Sequence, residues 1–367
     1  MSASTYAADT TSADAPAAVL SVSPVVLSAP GRPVDLQLRV SAPVTGSELP
    51  IILLSHGQGP SNNLSSLNGY APLANFWAAH GFVVLQPTHL SSRTLDLNAD
   101  HPEAPLYYRS RAEDMTIILD RLGEIENAVP QLRGRLDRGK VAVAGHSMGG
   151  HTASLLLGAR FTDPHDGTEV NLAEPRIAAG VLLASPGRGG DALTEFVLEN
   201  YAFLSTIDFS TMTTPALVVA GEKDTSAHLT VRGADWHTDP YFLSPAPKAL
   251  VTLFDAEHGL GGISGYDVAE TTDENPERVA AIQRLTWAYL RTALSPGDPA
   301  WQAARDELTT GPPSARTRRI QVTRPGLHST PRCCEWPTRS SQERCWGMFQ
   351  GLASRRGVGS RWSGQDW

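Results

Sequence analysis

Ser147 stands in Gly145-His146-Ser147-Met148-Gly149-Gly150, directly after the apolar run Val141-Ala142-Val143-Ala144 and ahead of a stretch with helical character. A strand that turns abruptly into a helix forces the residue at the corner into strained backbone angles. It also brings neighbouring backbones close, so the residues two positions either side must be glycine. The corner exposes the serine hydroxyl, and the helix start beyond it lets the Met148 backbone N–H face developing negative charge. Those properties suit attack of Ser147 on a carbonyl carbon.

A serine hydroxyl is a poor nucleophile at its own pKa, so such a site needs a general base and a group that orients it. The run Ala216-Leu217-Val218-Val219 leads into Gly221-Glu222-Lys223-Asp224, which places Asp224 just outside the carboxyl end of a strand, where open-sheet enzymes assemble their sites. Asp224 is the expected orienting carboxylate, with Glu222 and Asp208 as competitors. The last strand, residues 248–254, runs into Asp255-Ala256-Glu257-His258-Gly259, and His258 completes the chain order Ser, Asp, His as the expected base. The other histidines, among them His56, His89, His101, His151, His165, His228 and His237, are expected to be surface or core residues. A second oxyanion donor is expected at the end of the first parallel strand, in Ser55-His56-Gly57-Gln58-Gly59, with the backbone N–H of Gln58 nominated and Gly59 as its near alternative.

These residues need a scaffold, and the apolar pattern supplies one. Residues 25–27 and 34–40 read as paired strands with period-two alternation in the second. After them, continuous apolar runs at 51–54, 82–85, 141–144, 177–184, 216–219 and 249–254 alternate with helical segments at 70–80, 110–127, 148–160 and 277–294. Continuous runs are the mark of parallel strands covered on both faces, so the predicted fold class is α/β, a mostly parallel central sheet between helices. Met115, Ile118, Leu119 and Leu122 form the core stripe of the second helix. Residues 185–214 interrupt the alternation, and their Phe196, Tyr201, Phe203, Ile207 and Phe209 make them a candidate lid or a helix packed at the sheet edge.

Composition narrows the function classes. Residues 1–310 carry 20 basic and 35 acidic residues, a net charge of −15, whereas residues 311–367 carry ten Arg and three acids. An acidic body disfavours nucleic acid or an anionic membrane as partner. All three cysteines, Cys333, Cys334 and Cys345, lie in the tail, so the body has neither an internal disulfide nor a Cys-ligated metal. The oxygen-rich loop at 163–171 lacks the spacing of a calcium loop and reads as a polar turn. No cofactor is expected. The polar residues 1–18 read as a disordered leader without a signal peptide, and the protein as cytoplasmic. The catalytic domain is expected over 19–295 and a disordered tail over 296–367. Arg, Gly, Pro, Ser, Trp and Cys in that tail are what an out-of-frame read of a GC-rich gene yields, a hypothesis that a search for an alternative frame after Leu294 would test.

His56-Gly57-Gln58-Gly59, Ala79-His80-Gly81-Phe82-Val83-Val84, the segment around Ser147, Gly221-Glu222-Lys223-Asp224 and Glu257-His258-Gly259 together resemble the dienelactone-hydrolase-like branch of the α/β hydrolases. That branch includes chlorophyllases, platelet-activating-factor acetylhydrolases and bacterial cutinases, and the resemblance covers residues 19–294. It implies hydrolysis of a carboxylic ester of a small molecule through an acyl-enzyme on Ser147, His258 and Asp224. Dienelactone hydrolases proper use cysteine where Ser147 stands, and chlorophyllases typically carry Arg where Met148 stands. The same three residues also suit acyl transfer to another alcohol or perhydrolysis, and the fold can house a catalytically silent binding protein.

Overall fold

The computed structural model describes residues 15–97, 103–265, 268–310 and 320–323 of the chain. In chain order, β1 (Val19–Leu27), β2 (Leu36–Pro43) and β3 (Leu49–Ser55) lead to helix α1 (Ala71–Ala79), β4 (Val83–Pro87), α2 (Tyr108–Asp120) and α3 (Leu122–Ala128). Strand β5 (Leu136–His146) and α4 (Met148–Leu156) follow, then the short strands β6 (Arg160–Thr162) and β7 (Glu169–Asn171) and the long β8 (Ile177–Leu183). Helix α5 (Glu195–Asn200), β9 (Ala216–Gly221), α6 (Asp239–Phe242), β10 (Lys248–Leu253), α7 (Pro276–Leu294), α8 (Ala300–Thr310) and β11 (Ile320–Thr323) complete the order.

Nine strands form one sheet in the order β1-β2-β4-β3-β5-β8-β9-β10-β11. The pairs from β4 to β10 are parallel, and antiparallel pairs close both edges. This is the mixed, mostly parallel sheet of an α/β-hydrolase fold. The continuous apolar runs divide by period two. Ile51, Leu53, Val141 and Val143 face a core shared with α2, α3 and α4, while Ile52, Leu54, Ala142 and Ala144 face one shared with α1, α7 and α8. Burial on both faces is what made the runs continuous in sequence. Among the described residues, no helix is long and apolar enough to cross a membrane.

Three differences from the sequence reading stand out. The helix expected over 110–127 starts at Tyr108 and breaks at Arg121, φ −116° and ψ 25°, just before Gly123, a poor helix former. A small antiparallel hairpin, β6 with β7, carries the oxygen-rich loop, whose Asp163 and Asp166 accept hydrogen bonds within the turn from His165 N (2.7 Å) and Thr168 N (2.9 Å). The tail expected to lack structure from 296 instead begins with α8, in which Ala300, Trp301, Ala304 and Leu308 recur at helical spacing and pack on the second core. The Trp301 ring meets Tyr289 edge-on at 5.4 Å. Strand β11 then pairs antiparallel with β10, Val322 opposite Val251. Composition counted from residue 311 onward hid β11, while α8 lies just ahead of that count. The remainder of the tail, with its three cysteines, and the leader up to residue 14 lie outside the described residues.

The candidate lid is anchored to the body. Thr194 N and Val231 N donate to Leu229 O and Ala192 O, and Asp208 exchanges backbone hydrogen bonds with Arg160. Ile207 and Phe209 are buried in the first core, while Tyr201 and Phe203 line a cavity of about 300 Å³ with Tyr108 and Leu106.

Candidate active site

Four parallel strands, β3, β5, β9 and β10, end at one edge of the sheet, and the loops that follow them carry the candidate residues. Ser147 is the corner between β5 and α4, with φ 54° and ψ −121°, a conformation that favours glycine. Its N–H donates to Leu183 O at 2.9 Å, tying the corner to the next strand. The glycines around it answer to close approach. A Cβ on Gly145 would overlap the Gly149 carbonyl, and one on Gly149 would overlap the Ser55 carbonyl of β3. Met148 opens the helix, and no described residue takes its N–H. The Ser147 hydroxyl likewise makes no hydrogen bond to a described residue.

Asp224 and His258 meet. His258 Nδ1 donates to Asp224 Oδ2 at 2.8 Å; the carboxylate is 2 % exposed and the imidazole about a third exposed. Burial acts to raise the Asp224 carboxyl, but the adjoining His258 and His237 outweigh it and hold the group well below the usual carboxylate range. The competitors lie elsewhere. Glu222 Oε2 accepts from Asp255 N at 3.2 Å, and Asp208 is engaged by Ser210 N at 2.8 Å.

His146, the second residue of the serine motif, couples the parts. Its Nε2 donates to the His258 backbone carbonyl at 2.8 Å, and its Nδ1 accepts from Tyr70 Oη–H at 2.8 Å. Tyr70 Oη accepts in turn from Gly57 N at 3.0 Å. This assignment requires a neutral imidazole, and burial lowers His146 to about 3. One side chain thereby links the loop after β3, the corner after β5 and the loop after β10. Since Tyr70 takes the Gly57 N–H, the N–H groups of Gln58 and Gly59 are the ones at the nominated oxyanion loop that no described residue takes.

Beneath that loop lies a second Ser, His and Asp, fully buried. Ser55 Oγ donates to His89 Nε2 at 2.9 Å, and His89 Nδ1 donates to Asp114 Oδ2 at 2.9 Å. Ser55 is inaccessible, so this trio braces rather than reacts. Arg111, also fully buried, donates to the His56 carbonyl and to Ser55 Oγ (3.3 Å), and burial lowers it to about 10, still charged at neutral pH. Arg32 holds Asp114 with two hydrogen bonds, 2.7 and 3.1 Å. His89 N donates to His56 Nε2 at 3.2 Å, so the backbone that presents Gln58 is fixed from below.

Sequence reasoning missed Tyr70, Arg111, Ser226 and His237. Arg111 carried a signal, a cation in helical register with Met115, Ile118 and Leu122. His237 carried none: it is buried, with Nε2 3.2 Å from Asp224 Oδ2. His101 lies outside the described residues. Asp224, His237 and His258 bring ligand-type atoms within 4.8 Å of one another. Bonds of about 2.0–2.1 Å to a tetrahedral zinc would hold such atoms about 3.3 Å apart. The 2.8 Å separation of His258 Nδ1 and Asp224 Oδ2 is a hydrogen-bond length instead.

No family model matches the chain. The chain is similar to a platelet-activating factor acetylhydrolase from Cavia porcellus, 30 % identical over 147 residues that cover 31 % of this chain and 33 % of that protein. It thus spans about a third of the length of the curated relative it matches.

Proposed function

We propose that the protein is a serine hydrolase that cleaves a carboxylic ester. Ser147 Oγ attacks the ester carbonyl while His258 Nε2 takes the serine proton, and the tetrahedral oxyanion is held by the backbone N–H groups of Gln58 and Met148. His258 returns the proton to the departing alcohol as the C–O bond breaks, leaving an acyl group on Ser147. Water, deprotonated by the same imidazole, then releases the acid. Asp224 keeps the His258 proton on Nδ1 and stabilises the imidazolium. The observation that carries this reading is the 2.8 Å pair of Asp224 and His258, docked through His146 beside a strained, glycine-flanked serine. The Ser147 hydroxyl and the imidazole close their remaining gap on binding substrate, as catalytic hydrogen bonds commonly tighten in the Michaelis complex. Similarity to an acetylhydrolase supports ester chemistry and makes short acyl groups the first to assay.

A p-nitrophenyl ester series from acetate to octanoate, run beside fluorophosphonate labelling, tests the reading. The wild type should turn over one or more esters and label on Ser147. Ser147→Ala should lose the label and at least about four powers of ten in turnover. Undiminished turnover in Ser147→Ala would overturn the assignment.

A further inference from the structure

We infer that His237 is a positioning residue for this reaction, a second, doubly protonated imidazole that pins the Asp224 carboxylate and shares its charge with His258. The inference rests on the serine hydrolase reading given above.

The protonation follows from the partners. His237 is fully buried on the short turn Ala234–Thr238. Its Nδ1 lies 2.9 Å from the Ser185 carbonyl oxygen, which can only accept, so Nδ1 carries a proton. Its Nε2 lies 3.0 Å from Ser226 Oγ and 3.2 Å from Asp224 Oδ2. Ser226 Oγ donates its single proton to Asp224 Oδ1 at 2.8 Å and so offers Nε2 a lone pair. A neutral ring protonated at Nδ1 would turn a bare nitrogen toward two oxygens at 3.0 and 3.2 Å, too close for a water to stand between. A proton on Nε2 satisfies both, and the buried cation sits against a buried carboxylate.

Asp224 therefore accepts from His258 on Oδ2 and from Ser226 on Oδ1, with His237 Nε2 3.2 Å from Oδ2, which fixes the plane of the carboxylate. Its pull on the His258 proton is weakened because a second cation shares it. Among the described residues, the titratable groups facing His237 are Asp224 from the loop after β9, His258 from the loop after β10, 5.6 Å away between rings, His228 from the segment ahead of it, and the neutral His146 at the end of β5. On its own segment Asp235 and Asp239 are engaged by Arg232 at 2.5 and 2.7 Å, and the loop after β8 contributes the neutral Ser185 carbonyl. Removing the cation should leave Asp224 wholly to His258. The base then holds its proton to higher pH.

The test is His237→Gln, which keeps a neutral donor and removes the charge. Turnover should fall about tenfold with KM unchanged, and the acid limb of kcat/KM should move to higher pH by about half a unit or more. In the wild type, ¹⁵N-edited imidazole spectra at pH 7 should show both His237 nitrogens protonated, a reading that stands even if the variant fails to fold. A neutral His237, or a variant whose kcat/KM falls equally at every pH, would overturn the inference. Fluorophosphonate labelling of the wild type separates the two failures. An unlabelled Ser147 sinks the hydrolase reading, whereas a labelled enzyme with an unmoved profile sinks the role of His237 alone.

Discussion

At Ser147 the chain holds φ 54° with ψ −121°, a backbone state that costs an L-residue about 1–3 kcal/mol. The cost persists because Gly145 and Gly149 pack against opposing backbones and the Ser147 N–H is fixed on Leu183 O. Ser147→Ala keeps the Cβ and hence the strain, while Ser147→Gly removes both. The glycine variant should therefore be more stable than the alanine variant by about 1 kcal/mol, although glycine gains more freedom in the unfolded chain. Urea unfolding of the pair measures this. An alanine variant as stable as the glycine variant would mean that the corner is unstrained. Neither variant should turn over ester, so stability and activity part company at this residue.

The loop after β3 illustrates how elements share the work of holding a site. Its backbone is gripped by Arg111 from α2 and by Tyr70 ahead of α1, and its His56 side chain by the His89 N–H from the segment after β4. Arg111→Met removes a buried charged donor from the His56 carbonyl and from the Ser55 and Thr152 hydroxyls. A loss of about 2–3 kcal/mol is expected in denaturant unfolding. Under the proposed mechanism, loosening of Gln58 should also lower kcat by about ten- to a hundredfold with little change in KM, because an oxyanion donor acts chiefly in the transition state. Unchanged turnover would show that the brace serves stability alone. The parallel strands and most long helices were legible in the sequence, since burial on both faces leaves unbroken apolar runs at β3, β5, β8, β9 and β10. The candidates Ser147, Asp224 and His258 stood out in the sequence because each follows such a run, and the structure brings Asp224 and His258 together. The braces were not, because a buried polar residue is chosen by partners far away in sequence: Tyr70 answers to His146, and Arg111 to His56. Helix α8 was overlooked for a different reason, its sparse apolar positions being diluted by the arginine-rich sequence beyond it.

Across the whole molecule, left-handed backbone at non-glycine residues recurs where the parallel strands end: Ser147 after β5, Ala184 after β8, Ser226 after β9 and Asp255 and Leu260 after β10. Among the described residues Glu48, Tyr70, Asp96 and Tyr107 share that backbone state elsewhere, so the strand ends hold the larger part of it. The same region concentrates histidines that burial keeps neutral. His146 and His151 are lowered to about 3, and His56 and His89 well below the usual imidazole value, chiefly by desolvation. Between the ordinary value near 6.5 and those lowered values, the unfolded chain takes up protons that the folded one refuses, so stability is present above about pH 6.5 and lost as pH falls. Asp114, raised to about 6 by burial, works the other way and offsets one proton. A net uptake of protons on unfolding is expected at pH 5, with Tm falling from pH 7 to pH 5. Calorimetry across that range checks the sign, and a flat Tm would show that these imidazoles charge within the fold. The coupling through His146 also bears on how such a site is inherited or moved. The serine motif fixes its glycines and its serine and leaves its second position open, yet here that position grips a backbone 112 residues downstream. Grafting the five-residue segment onto another scaffold would carry the candidate nucleophile across and leave its registration with the imidazole behind.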